Sequence, residues 1–458
     1  MPVSVVILAA GQGKRMNSAL PKVLQPLAGR PMLAHVLASA RALDPAAIHV
    51  VYGHGGDTVK AAFPDADVSW VLQERQLGTG HAVAQALPSI PDDHQVLVLL
   101  GDVPLVSKKT LQRLVKDSSA GELALLTAVV DDPTGYGRVI RDERGAVSRI
   151  VEEKDASDDE RRVNEINTGL IAFTAGPLRR YLARLDNDNA QGEYYLTDVI
   201  GLAAGDGIKI LGTVIQSTTE VLGINDRAQL AVAERTLQRE IAHDLMARGV
   251  TLADPERLDV RGTIVVGRDV FIDVGAVLEG RVELGDRVRI GPHAVIVDST
   301  LGEDCVVHPH CVLKDVVAGP SCEIGPFARL RPGVELAAKV KIGNFVEVKK
   351  SQIAAGSKVN HLTYIGDTTI GRDVNVGAGT ITCNYDGANK HRTVIGDRAF
   401  IGSGVMLVAP VEVGADATIG AGSTLTKDAP PGELTLERSK QATIPGWQRP
   451  KKKPPGAK

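Results

Sequence analysis

Between residues 260 and 425 an aliphatic side chain returns every six positions. One run reads Val260, Val266, Ile272, Leu278, Leu284, Ile290, Ile296; a second reads Ile324, Leu330, Leu336, Ile342, Val348; a third reads Ile395, Ile401, Leu407, Val413, Ile419, Leu425. A helix repeats near 3.6 residues and an ordinary half-buried strand near 2. A six-residue metre describes a β-solenoid, in which each unit is one short face and three faces make a coil that stacks on the next. Gly often follows the aliphatic residue, as at Gly267, Gly285, Gly291, Gly302, Gly325, Gly343, Gly366 and Gly371, and a small residue sits four places after it.

The metre accounts for the cysteines. Cys305, Cys311 and Cys322 stand two residues before Val307, Leu313 and Ile324, at the small inward position of the repeat. Cys305, His308, His310 and Cys311 are therefore expected to be core thiols and outward histidines, not a metal site. At roughly 18 residues per coil and about 4.8 Å per layer, the prism is expected to be about 45 Å long. Its flat outer faces favour side-by-side association, with a homotrimer as the expected assembly.

The chain has 458 residues, too many for one ordinary core. A net charge of -3 argues against nucleic acid or an anionic membrane as the main partner. The only basic cluster, Lys451 to Lys453, lies among prolines and reads as a solvated tail. The apolar run at residues 3–10 lacks a charged leader and flows into a glycine loop, so it reads as a buried strand and not a signal peptide. No stretch is long enough to cross a bilayer, and a cytoplasmic location is expected.

Ahead of the solenoid, residues 3–9, 48–52, 95–100 and 123–130 look like buried strands, with helical patterns at residues 31–41 and 108–116. That alternation predicts an α/β, Rossmann-like domain with a mainly parallel sheet and functional residues at the carboxyl ends of its strands. Residues 227–248 form one long helical pattern, with Asp226 as N-cap and Gly249 just past the end. The expected domains are residues 1–227, a linker helix at 228–248, and a solenoid with a C-terminal tail at 249–458.

Leu8-Ala9-Ala10-Gly11-Gln12-Gly13-Lys14-Arg15 is a strand entering a glycine turn followed by two cations. Such a turn brings backbone N–H groups to an anion, and Lys14 and Arg15 add positive charge for phosphates. Met16 stands where a dinucleotide fingerprint needs a third Gly, and the P-loop spacing is absent. Pro21-Lys22, Gln73 and Leu77-Gly78-Thr79-Gly80-His81-Ala82 follow. Leu100-Gly101-Asp102 closes an apolar strand, and an Asp there is well placed to hold Mg²⁺, although a turn or helix cap is the plainer role for any single Asp.

With Gly135-Tyr136-Gly137-Arg138, Ile150-Val151-Glu152, Asn167-Thr168-Gly169 and Gly223-Ile224-Asn225, these pieces resemble the sugar nucleotidyltransferases. Adding His361-Leu362-Thr363-Tyr364 and Thr382-Cys383-Asn384-Tyr385-Asp386-Gly387, nearly the whole chain resembles the bacterial bifunctional N-acetylglucosamine-1-phosphate uridyltransferase/glucosamine-1-phosphate acetyltransferase family. The resemblance implies a left-handed parallel β-helix and synthesis of UDP-N-acetylglucosamine for cell-wall and lipopolysaccharide precursors. It implies that Leu8, Ala9, Ala10, Gly11, Gln73, Gly78 and Thr79 hold the uridine nucleotide of UTP, with Lys22 at its phosphates. Gly137, Glu152 and Asn167 would hold the N-acetylglucosamine moiety beside Leu100 and Gly101, and Asp102 and Asn225 would ligate Mg²⁺. The family commonly has Tyr where this chain has Leu100, so a phenol contact to the sugar is absent. Attack of one phosphate on another sets anion against anion, a repulsion of about 4 kcal/mol at 4 Å and an effective dielectric near 20. Mg²⁺, Arg15 and Lys22 offset it.

On the solenoid, the segments 344–350 and 360–364 lie close to one coil apart, so Glu347, Lys349, His361 and Tyr364 are expected to stack in one region. A His with a carboxylate nearby is a reasonable base. The resemblance makes His361 the proton acceptor, and Glu347 is expected to orient its ring. It implies that Arg331, Lys349, Tyr364 and Asn375 bind the sugar phosphate. Ala378, Asn384, Tyr385, Ser403, Ala421 and Arg438 would contact acetyl-CoA, some from a neighbouring subunit. The metre breaks once strongly, between Val376 and Ile395, where residues 382–390 must leave the coil as a loop. Two rival readings are a single-function nucleotidyltransferase with a merely structural solenoid, and an assembly protein with a degenerate first domain. The His361/Glu347 pair and the loop weigh against the first; the intact Gly11, Asp102 and Asn225 set weighs against the second.

Overall fold

The computed structural model describes residues 1–11, 13–53, 55–118 and 121–450. Gln12, the Lys14 side chain and the Lys451 to Lys453 cluster lie outside the described residues. The chain divides into two compact units, Met1–Ile241 and Ala242–Lys458.

The first unit is built on a sheet with strand order Ile210–Val214, Leu123–Val129, Glu165–Thr174, Gln95–Leu100, Val3–Leu8, Ala47–Tyr52 and Ser69–Leu72. Val3–Leu8 runs parallel to both its neighbours, and Ile210–Val214 parallel to Leu123–Val129. Glu165–Thr174 alone is inserted antiparallel, between Gln95–Leu100 and Leu123–Val129. The hairpin of Arg138–Arg141 and Val147–Val151 branches from it.

The central strands read as continuous apolar runs because both faces are covered. Val5, Ile7, Leu97 and Leu99 face the helices Met32–Arg41 and Lys108–Asp117. Val6, Val96 and Val98 face the helices Thr79–Ala86, Ala175–Leu182 and Asp198–Gly205. Leu8 and Leu100 are partners in the ladder, so the loops after them open at the same edge of the sheet.

The helix Arg227–Ala247 begins where Asp226 Oδ1 accepts the Gln229 N–H over 2.8 Å, and Gly249 follows its end at φ 92°. Leu230 and Leu237 pack on a buried cluster of Met16, Leu27, Met32, Ile224 and Ala233.

The second unit is a parallel β-helix. One face is an 11-stranded ladder whose inward column runs Ile272, Ile290, Val307, Ile324, Ile342, Val359, Val376, Ile401 and Ile419. The other two faces form a 17-stranded sheet. Each step of the six-residue metre moves to the next face, so every third aliphatic residue stacks in one column.

The coil is not uniform. Ile324 pairs with Ile342, 18 residues on, whereas Ile342 pairs with Val359, 17 residues on. Val376 pairs with Ile401, so the extra chain leaves as a loop and the column then resumes. Cys305, Cys311 and Cys322 are buried in the core. His308 hydrogen-bonds Glu323 at 3.1 Å, and His310 stacks between His293 and Phe327.

Candidate active sites

In the first unit two adjoining clefts open at the carboxyl edge of the sheet. One, of about 520 Å³, is lined by Leu8, Ala9, Ala10, Gly11, Lys22, Gln73, Gly78 and Thr79. The other, of about 290 Å³, is lined by Arg15, Gly137, Glu152, Asn167 and Asn225. Leu8, Thr79, Leu100 and Asp102 border both. Apart from Leu8 and Thr79, which border both, the residues expected for the nucleotide and those expected for the sugar line separate hollows, with Asp102 at the divide.

Local backbone shapes these walls. Gly78 has φ 109°, and a Cβ there would meet the Tyr194 carbonyl oxygen at 2.5 Å. Thr79 Oγ1 accepts the Leu196 N–H at 3.0 Å, tying the turn to the same segment. Gly137 offers its carbonyl to the Asn167 N–H at 2.8 Å. Asn167 Oδ1 then accepts from the Gly169 N–H at 3.0 Å, which leaves its side-chain NH₂ for a ligand. Leu100 lies against Gly169, where a Cβ would come within 2.6 Å of Leu100 Cδ1. Glu152 is largely buried and takes a 3.0 Å hydrogen bond from Thr197 Oγ1. Burial pushes its carboxyl up from the ordinary range; the Thr197 bond opposes this, and Asp198, Asp155 and Glu193 add to it.

Lys22, Asp102 and Asn225 meet at the divide. The Lys22 ammonium donates to Asn225 Oδ1 at 2.9 Å and ion-pairs with Asp102. Asn225 Nδ2 donates to the Gly223 carbonyl at 3.2 Å, which sets Oδ1 toward the cation. Two hard oxygens therefore converge on one cationic centre. That donor set fits Mg²⁺, which takes oxygen ligands and completes its shell with water and phosphate.

In the second unit, strand register stacks Asn344 on His361 and Glu347 on Tyr364. His361 Nδ1 lies 2.8 Å from Asn344 Oδ1. An amide oxygen there requires Nδ1 to carry the proton, leaving Nε2 with the free lone pair that a base needs. The ring's hydrogen-bond partner is thus Asn344; Glu347, expected in that place, accepts from Arg331 Nη1 at 2.9 Å. The 17-residue step sets which residue lies beneath His361, and it is not the carboxylate.

The same register continues above His361. Gly379 N–H donates to the His361 carbonyl, Gly404 N–H to that of Ala378, and Gly422 N–H to that of Ser403. Ala378, Ser403 and Ala421 thus form one row rising from His361, and Arg438 Nη1 reaches the Ala421 carbonyl at 3.3 Å. All three side chains are small. Beside the row, Asn384 Nδ2 donates to Asp367 Oδ2 at 2.5 Å, and Tyr385 caps the exposed loop with its ring under the Lys390 ammonium. Lys349, Tyr364 and Asn375 are half-buried on the coils around His361.

The chain is 60% identical over 99% of its length to a protein of Alkalilimnicola ehrlichii named bifunctional protein GlmU, of which it covers 97%. It is 60% identical over 98% of its length to the protein of that name from Azoarcus, covering 100% of it. The chain belongs to the bifunctional GlmU family. Residues 5–191 match the MobA-like NTP transferase domain, and residues 263–297 and 392–427 match the bacterial transferase hexapeptide repeat. As a GlmU-family protein it is a bifunctional enzyme, a nucleotidyltransferase on the α/β unit and an acyltransferase on the left-handed β-helix. Among the described residues no helix is long and apolar enough to cross a membrane.

Asn344 and Thr197 of this GlmU-family chain are positioning side chains that no sequence motif singles out. Asn344 stands 17 residues before His361, so a 17-residue coil is the signal that picks it out. Thr197 reaches Glu152 across 45 residues with no local signal.

Proposed function

We propose that the β-helix transfers acetyl from acetyl-CoA to the amino group of glucosamine 1-phosphate, and that the α/β unit then transfers uridyl from UTP to the resulting N-acetylglucosamine 1-phosphate. The products are UDP-N-acetylglucosamine and pyrophosphate, for cell-wall and lipopolysaccharide precursors. The observation that carries the first unit's role is the pair of clefts divided at Asp102, one for each substrate of a phosphoryl transfer. The row from His361 to Ala421 supports the second.

For acetyl transfer, His361 Nε2 takes the proton as the amine attacks the thioester, a contribution of about 10²–10⁴-fold for a well-placed base. Asn344 holds the ring, Arg331, Lys349, Tyr364 and Asn375 bind the sugar phosphate, and Glu347 steadies Arg331. Ala378, Ser403, Ala421, Asn384, Tyr385 and Arg438 receive acetyl-CoA, with neighbouring subunits of a homotrimer completing each site.

For uridyl transfer, Leu8 to Gly11, Gln73, Gly78 and Thr79 bind the nucleotide, and Gly137, Glu152 and Asn167 bind the sugar. Asp102 and Asn225 would hold Mg²⁺, which supplies charge neutralisation between the two phosphates. Arg15 and Lys22 add positive charge at that divide, which suits a reaction driven by positioning without a covalent enzyme intermediate. The proposed location is the cytoplasm, where UTP and acetyl-CoA are available.

Two assays on the intact chain test this reading. Acetyl-CoA with glucosamine 1-phosphate should release free thiol, and UTP with N-acetylglucosamine 1-phosphate should release pyrophosphate. Failure of either reaction removes the corresponding half.

A further inference from the structure

Gln73 is buried at the floor of the larger cleft, with its amide held at one end. Nε2 donates to the Gly78 carbonyl at 3.1 Å and lies 3.0 Å from His81 Nδ1. A backbone carbonyl only accepts, so the group facing it must be the NH₂. Its second N–H then meets His81 Nδ1, which must offer a lone pair. The ring proton of that tautomer sits on Nε2, which requires the exposed Gln85 amide, 3.3 Å away, to turn its oxygen toward it. Both amide hydrogens are thereby committed. Among the described residues Gln73 Oε1 has no protein partner, and it is not among the buried unpaired atoms, so it opens to the cleft.

We propose that His81 is the positioning residue that sets base selection in the nucleotidyl transfer. Gly78 and His81 together lock the Gln73 amide so that only its oxygen faces the base. An acceptor in that place favours a pyrimidine carrying a ring N–H, as uracil does, and opposes one with a ring-nitrogen lone pair, as cytosine has. A mismatched base would set two lone pairs against each other and leave a buried acceptor unpaired, which is the form of discrimination that binding can make large. Without His81 one N–H loses its partner and only the 3.1 Å bond to the Gly78 carbonyl still opposes a turn of the amide, so presenting NH₂ to cytosine costs less. This inference rests on reading the α/β unit as the nucleotidyl-transfer site with the base near Gln73.

The test compares kcat/KM for UTP and CTP in the intact enzyme, its His81→Leu variant and its His81→Asn variant. Asn can place its Oδ1 near the position of the imidazole Nδ1 and so restore the acceptor. His81→Leu should lower the UTP preference about tenfold or more, while His81→Asn keeps it near that of the unaltered enzyme. Acetyl transfer, measured on the same samples, should be unchanged in both and reports that the variants fold. An unaltered UTP preference in His81→Leu, or an equal loss in His81→Asn, would overturn the proposal. If the unaltered enzyme transfers no nucleotide at all, it is the reading of the α/β unit that fails.

Discussion

Lys22 Nζ bonds Asn225 Oδ1 at 2.9 Å and ion-pairs with Asp102, joining positions 80 and 203 residues away in the chain. Replacing Asp102 by Ala removes one of the two oxygens and leaves Lys22 with the amide alone. Uridyl transfer should fall below detection in Asp102→Ala while acetyl transfer stays within about twofold of normal. Parallel loss of both activities would show that the two sites are not separate.

His361→Ala should reduce acetyl transfer by about 10²–10⁴-fold and leave pyrophosphate release unchanged. Asn344→Ala removes the partner of Nδ1 and frees the ring without removing the base. A smaller fall of about tenfold is expected, confined to acetyl transfer and seen mainly in kcat. Wild-type turnover in Asn344→Ala would dismiss its orienting role.

Gly366 lies under two side chains assigned to different substrates. A Cβ there would come within 2.5 Å of Tyr364 Oη and 2.7 Å of Asn384 Nδ2. Gly366→Ala should therefore raise KM for both glucosamine 1-phosphate and acetyl-CoA, with uridyl transfer as the internal control. A change confined to one substrate would mean that only one of the two side chains is displaced.

Burial lifts the Glu152 carboxyl above its ordinary value of 4.5. In the window between 4.5 and the raised value the folded state holds a proton that the unfolded chain has released. Stability therefore declines as pH rises through that window, and the penalty persists above it. Glu152→Gln removes the penalty, so the unfolding transition of the α/β unit should rise by roughly 2–4 °C near pH 7. The gain should vanish toward pH 4.5, and KM for the sugar phosphate should increase as the price of the change. Scanning fluorimetry across pH checks the first; a gain that is the same at every pH would point to packing instead.

The solenoid was legible because its core admits one large side chain per face, and that demand writes itself into every sixth position. The inward cysteines followed from the same rule. The partner of His361 did not, because the choice between Asn344 and Glu347 depends on whether a coil takes 17 or 18 residues, and the aliphatic metre tolerates both. In the α/β unit the apolar runs disclosed the parallel strands. Glu165–Thr174 escaped because polar Asn167 and Thr168 at its bulge interrupt the apolar pattern. The meeting of Lys22, Asp102 and Asn225 is a tertiary fact, and only the family resemblance anticipated it.

The column that carries Val376 directly to Ile401 has a consequence for how such an enzyme can change. Ladder contacts pass from coil to coil on either side of the protruding loop, so its length is uncoupled from the integrity of the stack. Residues 384–392 can be lengthened, shortened or exchanged while the layers above and below keep their alignment. The loop can thus drift in length and sequence under weak structural constraint.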